Sequence, residues 1–139
     1  MSHRAIQGLA LATGIAAAAY KMRALSMSGA VAATLVGASV HAGTGMRGSV
    51  TMVSYFASAS MLSRLPRQGD LVQQRGNRRD AVQVLANGGP AAAFSLLHTS
   101  SSPAPSSDFA ATAFYGSLAA AAADTWATEI GTRWGGQPR

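Results

Sequence analysis

LSMSGAVAATLVGASVHA, residues 25–42, contains no aspartate, glutamate, lysine or arginine and consists mainly of small and apolar residues. A helix rises roughly 1.5 Å per residue, so this stretch approaches the length of about 20 residues that crosses a hydrocarbon core of roughly 30 Å. Gly29, Ala33 and Gly37 recur in it at intervals of four, which leaves one helix face small enough for a second helix to approach. The stretch predicts a membrane helix that packs closely against a neighbour.

Four further stretches of similar character lie on both sides of it. They are Ala5 to Tyr20, Gly48 to Leu65, Ala81 to His98, and Phe109 to about Gly131. Charged residues make up only 12% of the chain, about half of the roughly 25% found in soluble domains. We therefore predict an all-α protein, a polytopic integral membrane helical bundle of about five transmembrane helices, with residues 1–139 forming a single membrane domain.

Two alternatives stay open for this class of protein. The apolar content is mainly alanine and glycine and the mean hydropathy is only +0.16, which leaves room for a soluble helical bundle. The first stretch follows Arg4 and is short, so a cleaved signal peptide is its competing interpretation. Lys21 and Arg23 follow this stretch where small residues should mark a cleavage site, which favours a membrane helix.

The basic residues divide unequally among the connections. Arg4 and Arg47 fall on one side of alternating crossings, and the other nine fall on the opposite side. By the positive-inside rule those nine are cytoplasmic, so the amino terminus faces out and the carboxyl terminus faces in. We predict a multi-pass membrane protein, in the plasma membrane if the source is bacterial. The nine are Lys21, Arg23, Arg64, Arg67, Arg75, Arg78, Arg79, Arg133 and Arg139.

Composition also limits the partners. The chain has no cysteine, so it can form neither a disulfide nor a thiolate metal site. The chain has a net charge of +6, but its basic residues do not form a stripe interleaved with aromatic residues. We therefore expect no nucleic-acid partner. It has no Walker or dinucleotide glycine loop and no histidines at zinc-binding spacing. The predicted partner is the lipid bilayer, and a homo-oligomer is compatible with such helices.

Two polar clusters lie at the predicted cytoplasmic side. In RRDAVQVLANGG, residues 78–89, Asp80, Gln83 and Asn87 are spaced i, i+3 and i+7 and form one polar stripe on a helix, which the following Gly-Gly-Pro is expected to interrupt. In ADTWATEIG, residues 123–131, Asp124 and Thr128 share a helix face. Thr125 and Glu129 lie beside them.

This inventory suits phosphate chemistry. Asp80, Asp124 and Glu129 are carboxylates that can hold magnesium, which needs only one or two protein carboxylates and completes its shell with water and phosphate oxygens. Arg78 and Arg79 can clamp phosphate oxygens. Structural alternatives stay open for most of these residues. They are capping or snorkelling for Glu129, a structural pair with an arginine of another helix for Asp124, and topology anchoring or contact with anionic lipid headgroups for the two arginines.

The two motifs, together with Ser28-Gly29-Ala30, resemble the transmembrane protein nineteen family, also catalogued as membrane domain of unknown function ninety-two. The resemblance covers roughly residues 25–139. It implies a multi-helix membrane protein whose plant relatives include phytyl-phosphate kinases, which phosphorylate an isoprenoid monophosphate with a nucleoside triphosphate. Two departures stand out. Residues 66–70 contain no lysine, and relatives continue beyond Arg139 into a glycine-rich motif, so we expect the C-terminal part of the family domain to be lacking.

The resemblance implies a functional site formed by the polar residues of the two clusters. The chain is predicted to be an isoprenoid monophosphate kinase that works at the cytoplasmic interface with magnesium and a nucleoside triphosphate. Asp124 and Asp80 are the predicted catalytic residues, and Asp124 and Glu129 the predicted magnesium ligands. The alternatives are a non-catalytic transporter or channel component, in which Asp124 and Glu129 carry protons or cations, and an inactive remnant. The predicted substrate-binding residues are Arg78, Arg79, Gln83, Asn87, Ser28, Thr125 and Thr128.

Overall fold

The computed structural model of the chain describes residues 3–65, 78–100 and 106–134. Helices account for almost all of these residues, and the described ranges contain no β-strand beyond one isolated bridge between Leu25 and Arg79. The predicted all-α class is confirmed. The helices are α1 (His3–Lys21), α2 (Met27–Arg64), α3 (Ala81–Ser100) and α4 (Ser106–Trp134).

Helix α2 reverses direction at Gly45. A straight helix of its 38 residues would be about 57 Å long at roughly 1.5 Å per residue. Nevertheless, Arg64 at its end donates a hydrogen bond of 2.8 Å to the carbonyl of Met22, just before its start. Gly45 has φ 65° and ψ −151°, a conformation that essentially only glycine adopts. The predicted second and third stretches are thus the two antiparallel halves of α2, so the structure has four helices in its described residues where about five were predicted.

Small residues set the spacing between helices, as the sequence predicted. A Cβ on Gly37 would lie 3.0 Å from the Cβ of Ala12 on α1. A Cβ on Gly43 would overlap the backbone of Ser95 on α3. The core lies where α2, α3 and α4 meet, and among the helices of the described residues α1 packs against α2. The core cluster consists of Val36, Val40, Ala91, Ala92, Phe114 and Leu118.

Helix α3 continues through Pro90. We expected the Asn-Gly-Gly-Pro segment to interrupt it, but residues 81–100 form one helix. Gly88 is buried, and a Cβ there would lie 2.9 Å from Val36 of α2. The glycine therefore brings α3 close to α2, and the predicted break is absent.

Much of the outer surface is apolar. Large side chains such as Val31, Leu35 and Met61 are more than half exposed. Extended apolar surface of this kind marks contact with a membrane or with another protein. By hydropathy, however, no helix within the described residues combines the length and apolar character needed to cross a membrane.

Candidate functional site

The N-termini of α2 and α3 lie side by side because the chain segments that precede them pair through their backbones. The amide of Ser26 donates to the carbonyl of Arg79 at 3.0 Å, and the amide of Arg79 donates to the carbonyl of Ala24 at 3.0 Å. Gly29 permits this pairing, since a Cβ there would overlap the carbonyl oxygen of Arg79. Two helix N-termini, each with a partial positive charge, therefore meet at one end of the molecule.

Side chains at this junction cap the two helices. The Ser26 hydroxyl accepts a hydrogen bond of 3.0 Å from the amide of Gly29. The Asp80 carboxylate accepts from the amide of Gln83 at 2.9 Å, and the Gln83 side-chain oxygen accepts from the amide of Asp80 at 3.2 Å, which forms a reciprocal capping box. The Ser28 hydroxyl lies 3.0 Å from that of Ser26 and accepts from the amide of Ala81 at 3.4 Å. The structure thus brings Ser28, Asp80 and Gln83 together, all three exposed.

Arg79 extends from this junction into the helix bundle. Its guanidinium donates to the hydroxyl of Ser60 at 3.1 Å and lies 5.3 Å from the centre of the Phe56 ring. Burial lowers the pKa of Arg79 below its ordinary value, and the charges of Tyr55 and Glu129 offset only part of this effect. An arginine remains protonated at neutral pH, so Arg79 is a half-buried cation. Arg78 is exposed.

A cavity of about 110 Å³ opens beside Arg79, between α1, both halves of α2 and α3. Its walls are mostly aliphatic or aromatic, with Ile15, Val36 and Phe56 among them. Gln83 and Asn87 line the cavity next to Arg79. Three of the predicted substrate-binding residues therefore line one apolar cavity. Of the predicted stripe, Gln83 and Asn87 line the cavity, whereas Asp80 caps α3 outside its lining.

Glu129, a predicted magnesium ligand, instead attaches α4 to α2. The Glu129 carboxylate accepts a hydrogen bond of 2.7 Å from Ser63 and forms an ion pair with Arg133. Arg133 also donates to the carbonyl of Leu65 at 3.0 and 3.2 Å. Both members of the ion pair are at least nine-tenths buried. This arrangement closes the C-terminal end of α2 and engages both carboxylate oxygens of Glu129.

The other predicted residues of α4 differ in their exposure to solvent. The hydroxyl of Thr125 is 3.2 Å from that of Tyr55, which lines the cavity. Asp124 and Thr128 are exposed. In the part of the chain that the structure describes, no three histidine, aspartate or glutamate residues come close enough together to hold a metal ion. A magnesium ion here would therefore rest on one or two carboxylates, with Asp80 and Asp124 the exposed ones among those predicted.

Several residues of this region were not predicted. The sequence did hold a signal for Arg133, because it follows Glu129 by four residues and such pairs meet on one helix face. It likewise held one for the cap, since Asp80-Ala81-Val82-Gln83 has the spacing of a capping box. No local signal identifies Tyr55 or Ser60, because their partners are 70 and 19 residues away along the chain.

Known proteins resemble the chain over nearly its whole length. A family model described as Integral membrane protein DUF92 matches residues 10–139. The chain belongs to this family. Membership confirms the resemblance that the two motifs indicated and supports a membrane location. Among curated proteins, the chain is similar to Protein PGR of Arabidopsis thaliana, with 28% identity over 151 residues.

The alignment covers only part of Protein PGR. The alignment includes 98% of this DUF92 chain but 52% of Protein PGR. The chain therefore spans about half the length of its curated relative. No solved structure matches significantly.

Proposed function

We propose that this DUF92 member is a membrane-embedded kinase that transfers phosphate from a nucleoside triphosphate to an isoprenoid monophosphate. The observation that carries the proposal is the apolar cavity whose lining includes Arg79, Gln83 and Asn87. An isoprenoid monophosphate has the complementary construction, an apolar chain with an anionic head. Its chain fits against Ile15 and Phe56 while its phosphate meets the guanidinium of Arg79.

The neighbouring helix ends favour the same anion. The N-termini of α2 and α3 adjoin and bring two partial positive charges to this end of the molecule, while the amides of Gly29, Ala81 and Gln83 are already bound by side-chain caps. Arg79 lies between them through its backbone bonds and supplies a guanidinium that can contact two phosphate oxygens. The exposed hydroxyl of Ser28 adds a further donor. Charge-assisted hydrogen bonds of this kind are worth roughly 1.5–3 kcal/mol each.

Exposed cations around the junction suit the co-substrate. Lys21 ends α1, Arg23 belongs to the α1–α2 connection that pairs with Arg79, and Arg78 precedes Arg79 in the chain. In the transfer, an oxygen of the bound monophosphate forms a bond to the γ-phosphorus of the nucleotide. The bond from this phosphorus to the β,γ-bridging oxygen breaks, and the nucleoside diphosphate leaves with the bonding electrons. Positioning and charge neutralisation by these cations are the protein's main contribution to such a reaction.

Asp80 and Asp124 are the better candidates to hold magnesium. Both residues are exposed, and one oxygen of Asp80 accepts the amide of Gln83 in the cap of α3. Both oxygens of Glu129, by contrast, are engaged by Ser63 and Arg133. One or two protein carboxylates are enough for magnesium, because water and substrate phosphate oxygens supply its other ligands. When bound, it would neutralise charge on the nucleotide phosphates.

The proposal is tested with the purified protein in detergent, a radiolabelled nucleoside triphosphate and geranylgeranyl phosphate. We expect magnesium-dependent formation of the diphosphate. The Arg79→Ala variant should lose at least about tenfold in kcat/KM, since one charge-assisted hydrogen bond is worth that much. Arg64→Ala is the matched control, because Arg64 lies at the same end of the bundle but bonds the carbonyl of Met22.

The absence of transfer by the wild-type protein would contradict a kinase. Full activity of Arg79→Ala would contradict Arg79 as the residue that binds the phosphate. Asp124→Asn should also reduce transfer if this exposed carboxylate takes part. Solute flux in proteoliposomes that needs no nucleotide and is lost in Asp124→Asn would instead favour the transporter alternative.

A further inference from the structure

Arg23 has an unusual backbone conformation just after the end of α1. Its φ is 59°, and no other non-glycine residue in the described ranges has a positive φ. The turn is a Schellman motif, because the amide of Ala24 donates to the carbonyl of Ala19 at 2.9 Å and the amide of Arg23 donates to the carbonyl of Tyr20 at 3.0 Å. Glycine is the usual residue at this left-handed position, since a Cβ there crowds the backbone. The turn therefore holds an arginine where its geometry favours glycine.

The side chain of Arg23 does not offset this strain through polar contacts. It is exposed, and its guanidinium makes no hydrogen bond or ion pair with another described residue. Arg64 and Arg133 differ in this respect, since the first donates to a backbone carbonyl and the second pairs with Glu129. A strained residue whose charge the described fold does not use indicates a role in function.

The backbone on both sides of Arg23 is fixed at the junction of α2 and α3. The carbonyl of Met22 accepts a hydrogen bond of 2.8 Å from Arg64, and the carbonyl of Ala24 accepts one of 3.0 Å from the amide of Arg79. Arg79 in turn lines the cavity proposed for the monophosphate. An exposed cation on a fixed backbone therefore lies next to the segment that carries Arg79.

We propose that Arg23 binds the phosphate chain of the nucleoside triphosphate and so brings this co-substrate to the monophosphate at Arg79. This inference rests on the proposed function, because it takes Arg79 as the site of the acceptor phosphate. Two arginines on paired chain segments hold two phosphate groups near each other, and each guanidinium can contact two oxygens. Arg23 is exposed, which suits a soluble nucleotide, whereas Arg79 is half-buried beside apolar walls, which suits a lipid phosphate.

The test replaces Arg23 with glycine, which removes the cation and suits the turn. Arg23→Gly should raise the Tm of the unliganded protein by about 2–5 °C, because glycine adopts the left-handed conformation without strain. It should also weaken the binding of inorganic triphosphate, which has the phosphate chain without a base, by about fivefold or more, since a charge-assisted hydrogen bond is lost at an exposed position. In the transfer assay, KM for the nucleotide should rise by a similar factor, while KM for geranylgeranyl phosphate stays within about twofold. A purely structural role of Arg23 would not combine higher stability with lower affinity.

Two further variants serve as controls. Arg23→Lys keeps a cation and the strained backbone, so its Tm should stay within about 1 °C of the wild type and its affinity for inorganic triphosphate within about threefold. Arg4→Ala removes the same charge from the opposite end of α1, where Arg4 is also exposed, and should change neither quantity.

Anionic lipid headgroups present the same phosphate chemistry, so binding is measured in nanodiscs of neutral phosphatidylcholine and in others that contain phosphatidylglycerol. Wild-type affinity of Arg23→Gly for inorganic triphosphate would refute the proposal. If phosphatidylglycerol then stabilised the wild type but not Arg23→Gly, Arg23 would belong to a lipid site instead. A lower Tm of Arg23→Gly would also refute the proposal, because it would show that the fold uses the side chain.

These outcomes leave the proposed kinase intact as long as the wild-type protein transfers phosphate. Absence of transfer by the wild type, with triphosphate binding that still depends on Arg23, would instead refute the kinase and leave Arg23 as an anion-binding residue.

Discussion

Two arginines are withdrawn from solvent in the described structure, and their surroundings give them different roles. Arg133 is 5% exposed and is neutralised by Glu129 on its own helix. Arg79 is half-buried, and its direct contacts, the Ser60 hydroxyl and the Phe56 ring, carry no charge. An anion that approaches the bundle therefore gains more from Arg79, while Arg133 serves to hold α4 against the end of α2.

The ion pair makes Glu129 a stability residue. We expect Glu129→Gln to lower the free energy of unfolding by about 3 kcal/mol, because removing one member of a buried pair leaves the other charge uncompensated. The measurement is chemical denaturation in a mild detergent. Asp124→Asn makes the same chemical change at an exposed position five residues earlier and should stay within about 0.5 kcal/mol of the wild type.

Unchanged stability of Glu129→Gln together with loss of magnesium binding would support Glu129 as a magnesium ligand. In that case Glu129→Gln would unfold at the wild-type denaturant concentration, and magnesium would no longer bind or shift its stability. Such a result would mean that the pairing with Arg133 is broken when the metal is present.

At the scale of elements, the reversal of α2 at Gly45 decides the arrangement. It places the second half of α2 beside the first, so that Tyr55, Phe56 and Ser60 reach the junction formed by Arg79. Without the reversal, the cavity would lose one wall. The backbone conformation of Gly45 thus places the residues of the second half of α2 at the candidate site.

Substitution of this glycine should be costly even though no atom obstructs it. A Cβ on Gly45 would meet nothing within 4 Å, so any loss reflects backbone conformation alone. We expect Gly45→Ala to destabilise the protein by about 1–3 kcal/mol, measured by thermal unfolding in detergent.

Gly14 provides the comparison. It lies inside α1, and a Cβ there also meets nothing within 4 Å. Because alanine is the better helix former, Gly14→Ala should stabilise the protein by up to about 1 kcal/mol. Equal effects of the two substitutions would show that Gly45 is not required for the reversal.

Element by element, the sequence was informative wherever contacts are local. Apolar stretches located the helices, and the spacing of Gly29 and Gly37 located close approaches between chain segments. The stripe of Gln83 and Asn87 was found for the same reason, since helical periodicity determines which residues share a face. The alternating crossings also predicted that the two stretches that form α2 run in opposite directions. The contact of Tyr55 with Thr125 depends instead on how α4 packs against α2, which local spacing does not encode.

At the scale of the whole molecule, several helix ends lie together at one end of the bundle. The α1–α2 connection, the end of α2 and the start of α3 meet there through Met22, Arg64 and Arg79, and Arg133 joins them from α4. This is the end to which the positive-inside rule assigned the cytoplasm. Arg67, Arg75 and Arg139, which belonged to the same assignment, lie outside the described residues.

We predict that this end and the reversal of α2 lie on opposite sides of the membrane. The chain has no cysteine, so single cysteines can be introduced without removing others. Met22→Cys and Met46→Cys are comparable because both methionines are about 60% exposed and lie near opposite ends of the first half of α2. A membrane-impermeant maleimide should label Met46→Cys in intact cells and Met22→Cys only after permeabilisation.

Labelling of both variants from the same side would show that the first half of α2 does not cross the bilayer. The hydropathy of the helices makes this a real test, since family membership supports a membrane location without fixing the number of crossings. Release of the chain from membranes by alkaline carbonate would point the same way.

The backbone pairing between Ala24, Ser26 and Arg79 has a kinetic consequence. Two main-chain hydrogen bonds hold this segment in place before any ligand arrives, so the entropy of ordering it is lost on folding and not on binding. Capture of an anion should then be fast and should require little rearrangement of the receptor. Release, which must separate the anion from a fixed guanidinium, would be the slower event and a natural point at which turnover is limited.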